Sequence, residues 1–337
     1  MRLKLEVIDP ATLRPMADIS DIMVYNPNDT VVWSLDDETA LSGHMHYLSK
    51  YEWNYEMIRL SREEHGSIDI LGTAYAIPES HELVSGTHAG SILLVGTPLA
   101  LRSTLISSPY MIADAPLDTI IRQVCDISGV RYEPPADMGD VAVSELQIFE
   151  AGTSCISIAQ AAAERAGGRI TQTPEGAVTV RISQIRGAQI AWTNRTDMAT
   201  ITSAIQKTST RYETPTRIIA TYTGAGGDAK FMSTIVELQP DYPSTRHRDE
   251  VLSISDLESP SREQLIARTE QHIEQSMSPI VTDTWTFDSI YRHATIGEPV
   301  IVEDADNAET LTGYISNIAL GLKPGTPMTI TAKGIVE

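Results

Sequence analysis

The chain has 337 residues, of which 45 are acidic and 25 basic, and its formal net charge is −20. This length is sufficient for two or three domains, and an apolar content of 42% excludes a disordered chain. The negative charge argues against a protein that grips nucleic acid or an anionic membrane. Two cysteines can form neither a disulfide scaffold nor a cysteine-based zinc site.

The N-terminal residues predict a strand and not a signal peptide. Residues 1–7 alternate apolar and charged side chains, and Asp9 and Pro10 then interrupt the pattern. No continuous apolar segment follows the basic residues, as a signal peptide would require. No window reaches the ~18 apolar residues that span a bilayer. We therefore expect a protein made in the cytoplasm, with no signal peptide and no membrane-spanning segment.

Residues 1–108 predict a first β-rich domain. Apolar and polar side chains alternate over 51–57, Ile68 and Ile70 repeat the period of two, and residues 92–95 form a short apolar run. Glycines recur at short intervals, as turns between strands would require. These patterns favour a closed or two-layered antiparallel sheet.

Residues 109–190 predict a small α/β segment. Pro116 is expected to be the first helical residue, Gly129 is expected to end that helix, and apolar residues follow the helical period at Leu117, Ile120, Ile121 and Val124. A second helix is predicted from a cap at Thr153 or Ser154 to Gly167. A β-hairpin is predicted over 169–182.

Residues 191–337 predict a second β-rich domain with one helix at about 259–277. The predicted strands are 216–223, 230–238, 298–303, 310–320 and 326–336. The predicted fold class is therefore mainly β with α+β insertions: two β-rich domains flank a small α/β segment.

The glycine-rich and nucleophile-like motifs have structural explanations. Residues 224–227 lack the following Lys-Ser/Thr of a phosphate loop and lie between two predicted strands, which favours a hairpin turn. Ser154 lacks the second glycine of a nucleophile elbow and is better explained as a helix cap. Cys125 and Cys155 are expected to be buried apolar side chains. We therefore predict no catalytic residue and no cofactor.

Two histidines alternate on one predicted strand. His44 and His46 would face the same side, but a metal site would need a third ligand from His65, His81 or His88, whose placement the sequence does not give. The sequence thus predicts no metal site.

An acidic cluster lies between two late strands. Its carboxylates are Glu303, Asp304, Asp306 and Glu309. A solvated hairpin loop is the general expectation for such a cluster, and the functional alternative is a surface that repels polyanions.

The order of several short segments resembles the baseplate-hub family of bacteriophage tails and related contractile injection systems, also called tail-tip hubs. The segments are APLDTII at 115–121, SGV at 128–130, AQAAAERAGGRI at 159–170, PEG at 174–176, AVTV at 177–180, IGEPVIV at 296–302 and GYIS at 313–316. The resemblance covers most of the chain and is strongest over 109–337.

The resemblance implies a non-enzymatic structural hub at the virion tail tip. Each chain of a homotrimer would supply two hub-type β-barrel domains, at 1–108 and 191–337, so that six similar units meet a six-fold tail tube. The implied partners are a distal-tail or tail-tube protein, the tape-measure protein, and tip or fibre proteins. DNA would pass through the ring without specific binding, past carboxylates such as Glu303, Asp304, Asp306 and Glu309.

Two other functions remain open from the sequence. A tail-associated cell-wall hydrolase would need a cleft with a nucleophile or a metal. A carbohydrate-binding adhesin would need exposed aromatic rings, for which Tyr51, Trp53 and Tyr55 are the best candidates, although their alternation suits a core face equally well.

Overall fold

The computed structural model has a mainly β fold with few helices, which confirms the predicted fold class at that level. The structure describes residues 2–24, 26, 28–35, 39–48, 51–64, 67–84, 87–112, 115–135, 142–143, 147–165, 168–182, 190–196, 198–209, 217–223, 231–237, 249–254, 261–275, 283–289, 294–323 and 325–336.

The strands and helices follow in chain order. The strands are β1 (Arg2–Ile8), β2 (Pro15–Asp18), β3 (Thr30–Ser34), β4 (Leu41–Leu48), β5 (Met57–Glu64), β6 (Ser67–Val84), β7 (Thr87–Gly96), β8 (Tyr110–Ile112), β9 (Ala115–Pro116), β10 (Ala142–Val143), β11 (Gln147–Phe149), β12 (Gly168–Gln172), β13 (Val178–Ile182), β14 (Ile190–Thr193), β15 (Gln206–Ser209), β16 (Arg217–Thr223), β17 (Phe231–Glu237), β18 (Asp249–Ile254), β19 (Asp283–Ser289), β20 (Pro299–Asp304), β21 (Glu309–Gly321) and β22 (Met328–Val336). The helices are α1 (Pro98–Ser103), α2 (Leu117–Ser128), α3 (Cys155–Arg165) and α4 (Arg262–Gln275), with a 3₁₀ helix at Ser20–Ile22.

Thirteen strands from both ends of the chain form one sheet. Its order is β15-β19-β22-β21-β3-β4-β7-β6-β5-β1-β2, and β20 pairs with β21 and β14. The N-terminal and C-terminal strands meet where β3 runs antiparallel to β21, with Trp33 opposite Ile318. The two β-rich segments predicted at 1–108 and 191–337 are therefore continuous through backbone hydrogen bonds.

One hydrophobic cluster spans the same two segments. Trp33 of β3, Trp192 of β14 and Trp285 of β19 all belong to it. The indole N–H of Trp33 donates a 2.9 Å hydrogen bond to the carbonyl oxygen of Leu71, so this large side chain is buried without leaving its polar atom unpaired.

The small α/β segment has its own core around α2 and α3. The apolar face of α2 is buried as predicted, and Gly129 ends the helix in the left-handed conformation with φ 68°. Pro116 is the N-cap, with ψ 136°, and not the first helical residue. Leu101 and Ile106 also pack into this core, so the packing unit begins with α1, before the predicted boundary at residue 108.

One further local prediction is wrong. Residues 51–56 are not a strand, because Tyr55 adopts φ 58°, which is incompatible with an extended chain; β5 begins only at Met57. α4 lies within the predicted helix at about 259–277 and packs against the separate sheet β17-β16-β18. The predicted turn at 224–227 lies outside the described residues.

A buried polar joint attaches the α/β segment to the large sheet. The side-chain carbonyl of Gln172 accepts the backbone N–H of Thr97 at 2.5 Å, and its amide donates to the carbonyl of Thr73 at 2.7 Å. The hydroxyls of Thr97 and Thr73 donate to the carbonyls of Gly176 and Pro174 in the turn between β12 and β13. This turn is therefore held against β6 and β7 by paired polar groups.

We expect Ile120→Asp to prevent folding of the α/β segment, because Ile120 is 1% exposed and the new carboxylate would be buried without a partner. The matched control is Ile127→Asp on the same helix, where the side chain is 49% exposed. Circular dichroism during urea unfolding measures both variants. Equal stability of the two would contradict the observed orientation of α2.

Candidate functional site

The acidic cluster lies at the turn of the β20–β21 hairpin, and a hairpin loop is what the sequence predicted there. Asp304 pairs with Glu309 across the turn. The side chain of Asp304 is buried, whereas Asp306 is exposed, so the carboxylates do not form one uniform solvated surface.

A hydrogen-bonded network surrounds Asp304. Its carboxylate accepts hydrogen bonds from the amide of Asn194 at 2.8 Å, from the amide of Asn307 at 2.7 Å, and from the ammonium group of Lys207. The ammonium group of Lys207 also contacts Glu309 at 2.7 Å and lies 4.6 Å from the ring centre of Trp285. Lys207 therefore joins the acidic turn to β19 of the same sheet.

A second basic residue neutralises the start of the turn. Arg195 contacts Glu303 at 2.5 Å, and the hydroxyl of Thr193 donates to the same carboxylate at 2.9 Å. The four carboxylates (−4) together with Arg195 and Lys207 (+2) leave a local formal charge of −2. Sequence reasoning missed both basic residues, since each lies about a hundred positions from its acidic partner.

These contacts change the acidity of the cluster. Burial raises the pKa of Asp304, but the hydrogen bonds from Asn307, Lys207 and Asn194 outweigh it and lower that pKa from 3.8 to about 2. The hydrogen bonds from Thr193 and Arg195 likewise lower the pKa of Glu303. Both groups are therefore held in their charged form. Whether the turn faces the lumen of a ring stays a prediction.

The structure brings a carboxylate to the predicted histidine pair. His44 and His46 lie on one face of β4, and the third nearby group is the carboxylate of Asp29. Of the three histidines considered from the sequence, His81 and His88 lie on β6 and β7, and His65 lies outside the described residues.

The residues that could suggest an enzyme have structural roles. Cys125 and Cys155 are both buried, and burial raises the pKa of the Cys125 thiol to about 12, which suppresses its nucleophilic thiolate form. The Ser154 hydroxyl oxygen accepts the backbone N–H of Ser157 at the start of α3, as a helix cap does.

The three aromatic residues considered for sugar stacking do not form an exposed platform. Tyr51 and Trp53 pack against the core, with ring centres 4.8 Å apart in an edge-to-face arrangement. Tyr55 is 65% exposed, whereas Tyr51 and Trp53 are partly buried.

None of the helices in the described part of the chain is long and apolar enough to span a bilayer.

Comparison with known proteins identifies the fold. No family model matches the sequence, and no curated protein matches it. A tail protein from Neisseria meningitidis superimposes with a TM-score of 0.67 at 13% identity, covering 99% of this chain and 97% of the other. The 43 kDa tail protein of prophage MuSo2 from Shewanella oneidensis gives 0.65 at 13% identity, with coverages of 99% and 98%. Prophage tail protein gp18 from Listeria monocytogenes gives 0.62 at 10% identity, with coverages of 99% and 94%.

We expect Asp304→Asn to reduce the stability of the protein at pH 5 and to flatten its pH dependence in acid. The lowered folded pKa of about 2 means that ionised Asp304 stabilises the fold by about 2 kcal/mol above pH 4, and that this contribution disappears as the pH falls towards 2.

Urea unfolding between pH 5 and pH 2 measures this contribution. Asp306→Asn is the control, because its carboxylate is exposed in the same turn. A slope of stability against pH that is the same in Asp304→Asn as in the unmodified protein would contradict the network.

Proposed function

We propose that this chain, which has the fold of phage tail proteins, is a structural hub at the tip of a phage tail. The observation that carries the proposal is the agreement with solved tail proteins over 99% of the chain. The fold as a whole, and not one module of it, is thus shared with tail proteins. The hub would connect the tail tube to tip or fibre proteins without catalysis.

The proposed assembly is a homotrimer. Residues 1–108 and 191–337 would each supply a tube-like β-barrel domain, so that three chains present six similar units to a six-fold tube. The pairing of β3 with β21 supports this proposal, because it fixes the orientation of the two halves of each chain. A quasi-six-fold ring requires such a fixed relation.

The acidic charge suits a passage for DNA. A trimer carries a formal charge of −60, three times −20, and carboxylates facing a lumen would repel phosphates, so that DNA slides instead of binding. Glu303, Asp304, Asp306 and Glu309 remain our candidates for this surface. Their contribution is halved by Arg195 and Lys207, so other acidic residues of the ring would supply most of the field.

The proposed partners follow from the position in the tail. The hub would contact a distal-tail or tail-tube protein on one side, the tape-measure protein in the lumen, and tip or fibre proteins on the other side. The protein would therefore be located at the tail tip of the virion.

The structural role is favoured over the two alternatives. A cell-wall hydrolase needs an accessible nucleophile or acid–base pair, whereas Cys125 and Cys155 are buried and Ser154 caps a helix. An adhesin needs aligned exposed rings, whereas Tyr51 and Trp53 pack against the core.

We expect light scattering of the purified protein to give a mass of three times 36.8 kDa, or, after addition of the matching tail-tube protein, the mass of a complex that contains three copies of this chain. Because three chains associate to form one trimer, the fraction of trimer should increase with protein concentration. A species that remains monomeric under both conditions would contradict the hub.

We expect no release of soluble fragments when the protein is incubated with purified peptidoglycan. The control is lysozyme under the same conditions. Cleavage that persists in a sample free of contaminating hydrolase would favour the enzyme, and substitution of Ser154 by Ala would then test whether its hydroxyl takes part.

A further inference from the structure

Two imidazole rings lie side by side on the face of β4 that points away from the core. His44 and His46 have ring centres 4.9 Å apart, whereas Met45 and Tyr47, which alternate with them, are buried. Each histidine side chain is 36% exposed, so the rings are accessible to a small ligand.

A buried carboxylate lies against this pair. The Asp29 side chain is only 1% exposed, and its Oδ1 atom is 2.6 Å from Nδ1 of His46. Its Oδ2 atom accepts the backbone N–H of His46 at 3.1 Å, which fixes the orientation of the carboxylate. The register explains the proximity, because Asp29 immediately precedes β3 and Thr30 pairs with His44.

A second carboxylate orients the other ring. Glu79 lies where the pairing of β6 with β7 is irregular, between Pro78 and Ser80, and its Oε2 atom is 2.6 Å from Nε2 of His44. A carboxylate bonded to one imidazole nitrogen orients the ring, as in the outer shell of many metal sites.

We propose that Asp29, His44 and His46 bind one divalent transition-metal ion of the zinc class, with Glu79 as the positioning residue for His44. One ligand atom from each of the three residues lies within 4.8 Å of the others. Two imidazoles and one carboxylate are a ligand set that Zn²⁺ favours. With bond lengths of about 2.1 Å, tetrahedral ligand atoms stand about 3.4 Å apart, so binding of the ion would draw the three ligand atoms closer together.

The charges of the site also balance. The two carboxylates of Asp29 and Glu79 compensate the double positive charge of the ion, since the imidazoles bind metal in their neutral form. The partly buried position of the site makes this compensation important, because an uncompensated charge would be costly there.

The bound ion would act as a clamp. It would join the residue before β3 to β4, and Glu79 would extend the connection to β6. The carbonyl oxygen of Asp29 also accepts the backbone N–H of Leu322 at 2.9 Å, directly after β21. The ion would therefore stabilise the place where the two halves of the large sheet join, independently of the proposed function in a tail.

Calorimetric titration of the full-length protein with Zn²⁺ tests the site. The protein is prepared without a polyhistidine tag and treated with a chelator beforehand. We expect one equivalent to bind, with an affinity that falls at least ~10-fold in His44→Gln, His46→Gln and Asp29→Asn and about 10–100-fold in Glu79→Gln. His272→Gln on α4 is the matched control and should bind like the unmodified protein.

Thermal unfolding supplies an independent readout. Zn²⁺ should raise the melting temperature of the unmodified protein and of His272→Gln, but not that of His46→Gln, because only ions bound to the folded state stabilise it. The proposal is overturned if the unmodified protein binds no Zn²⁺. It is also overturned if His44→Gln and His46→Gln bind normally, or if Asp29→Asn, folded by circular dichroism, keeps full affinity.

Discussion

The backbone pairing between β3 and β21 is the contact on which the rest of the fold depends. Among the described strands, the path of hydrogen bonds from the N-terminal to the C-terminal half passes through these two. Without it, each half would present an unpaired edge, and the shared cluster around Trp33 and Trp285 would be split. Burial of this common core provides the driving force for the pairing, while the hydrogen bonds fix its register.

The α/β segment is attached by a different kind of contact. The side chain of Gln172 accepts the backbone N–H of Thr97 and donates to the carbonyl oxygen of Thr73. Gly176, at φ 100°, lies so close to Thr73 that a Cβ atom added to it would be 2.8 Å from the Thr73 methyl group. Buried hydrogen bonds stabilise the structure only while donor and acceptor keep their geometry, so they orient the segment more strictly than apolar packing would. The structural role proposed for the chain would benefit from such fixed joints.

Local patterns in the sequence predicted many elements correctly. The helical period and Gly129 predicted α2, the alternating residues after 168 predicted the β12–β13 hairpin, and the three late strands were found in the right order. The failures were also local. Residues 51–56 alternate like a strand, but Tyr55 has a positive φ, and the short helix α1 carries too few residues for a periodic signal.

The sequence by itself determined the mainly β class, the order of the segments and the overall negative charge, because these depend on composition and on neighbours along the chain. Only the tertiary structure decided that one sheet runs through both halves, that Lys207 reaches Asp304, and that Asp29 lies against His46. The two side-chain contacts join residues 97 and 17 positions apart, and the sheet pairing brings Trp33 opposite Ile318. Burial of a common core sets the register of the paired strands, and no local pattern in the chain encodes which strands pair.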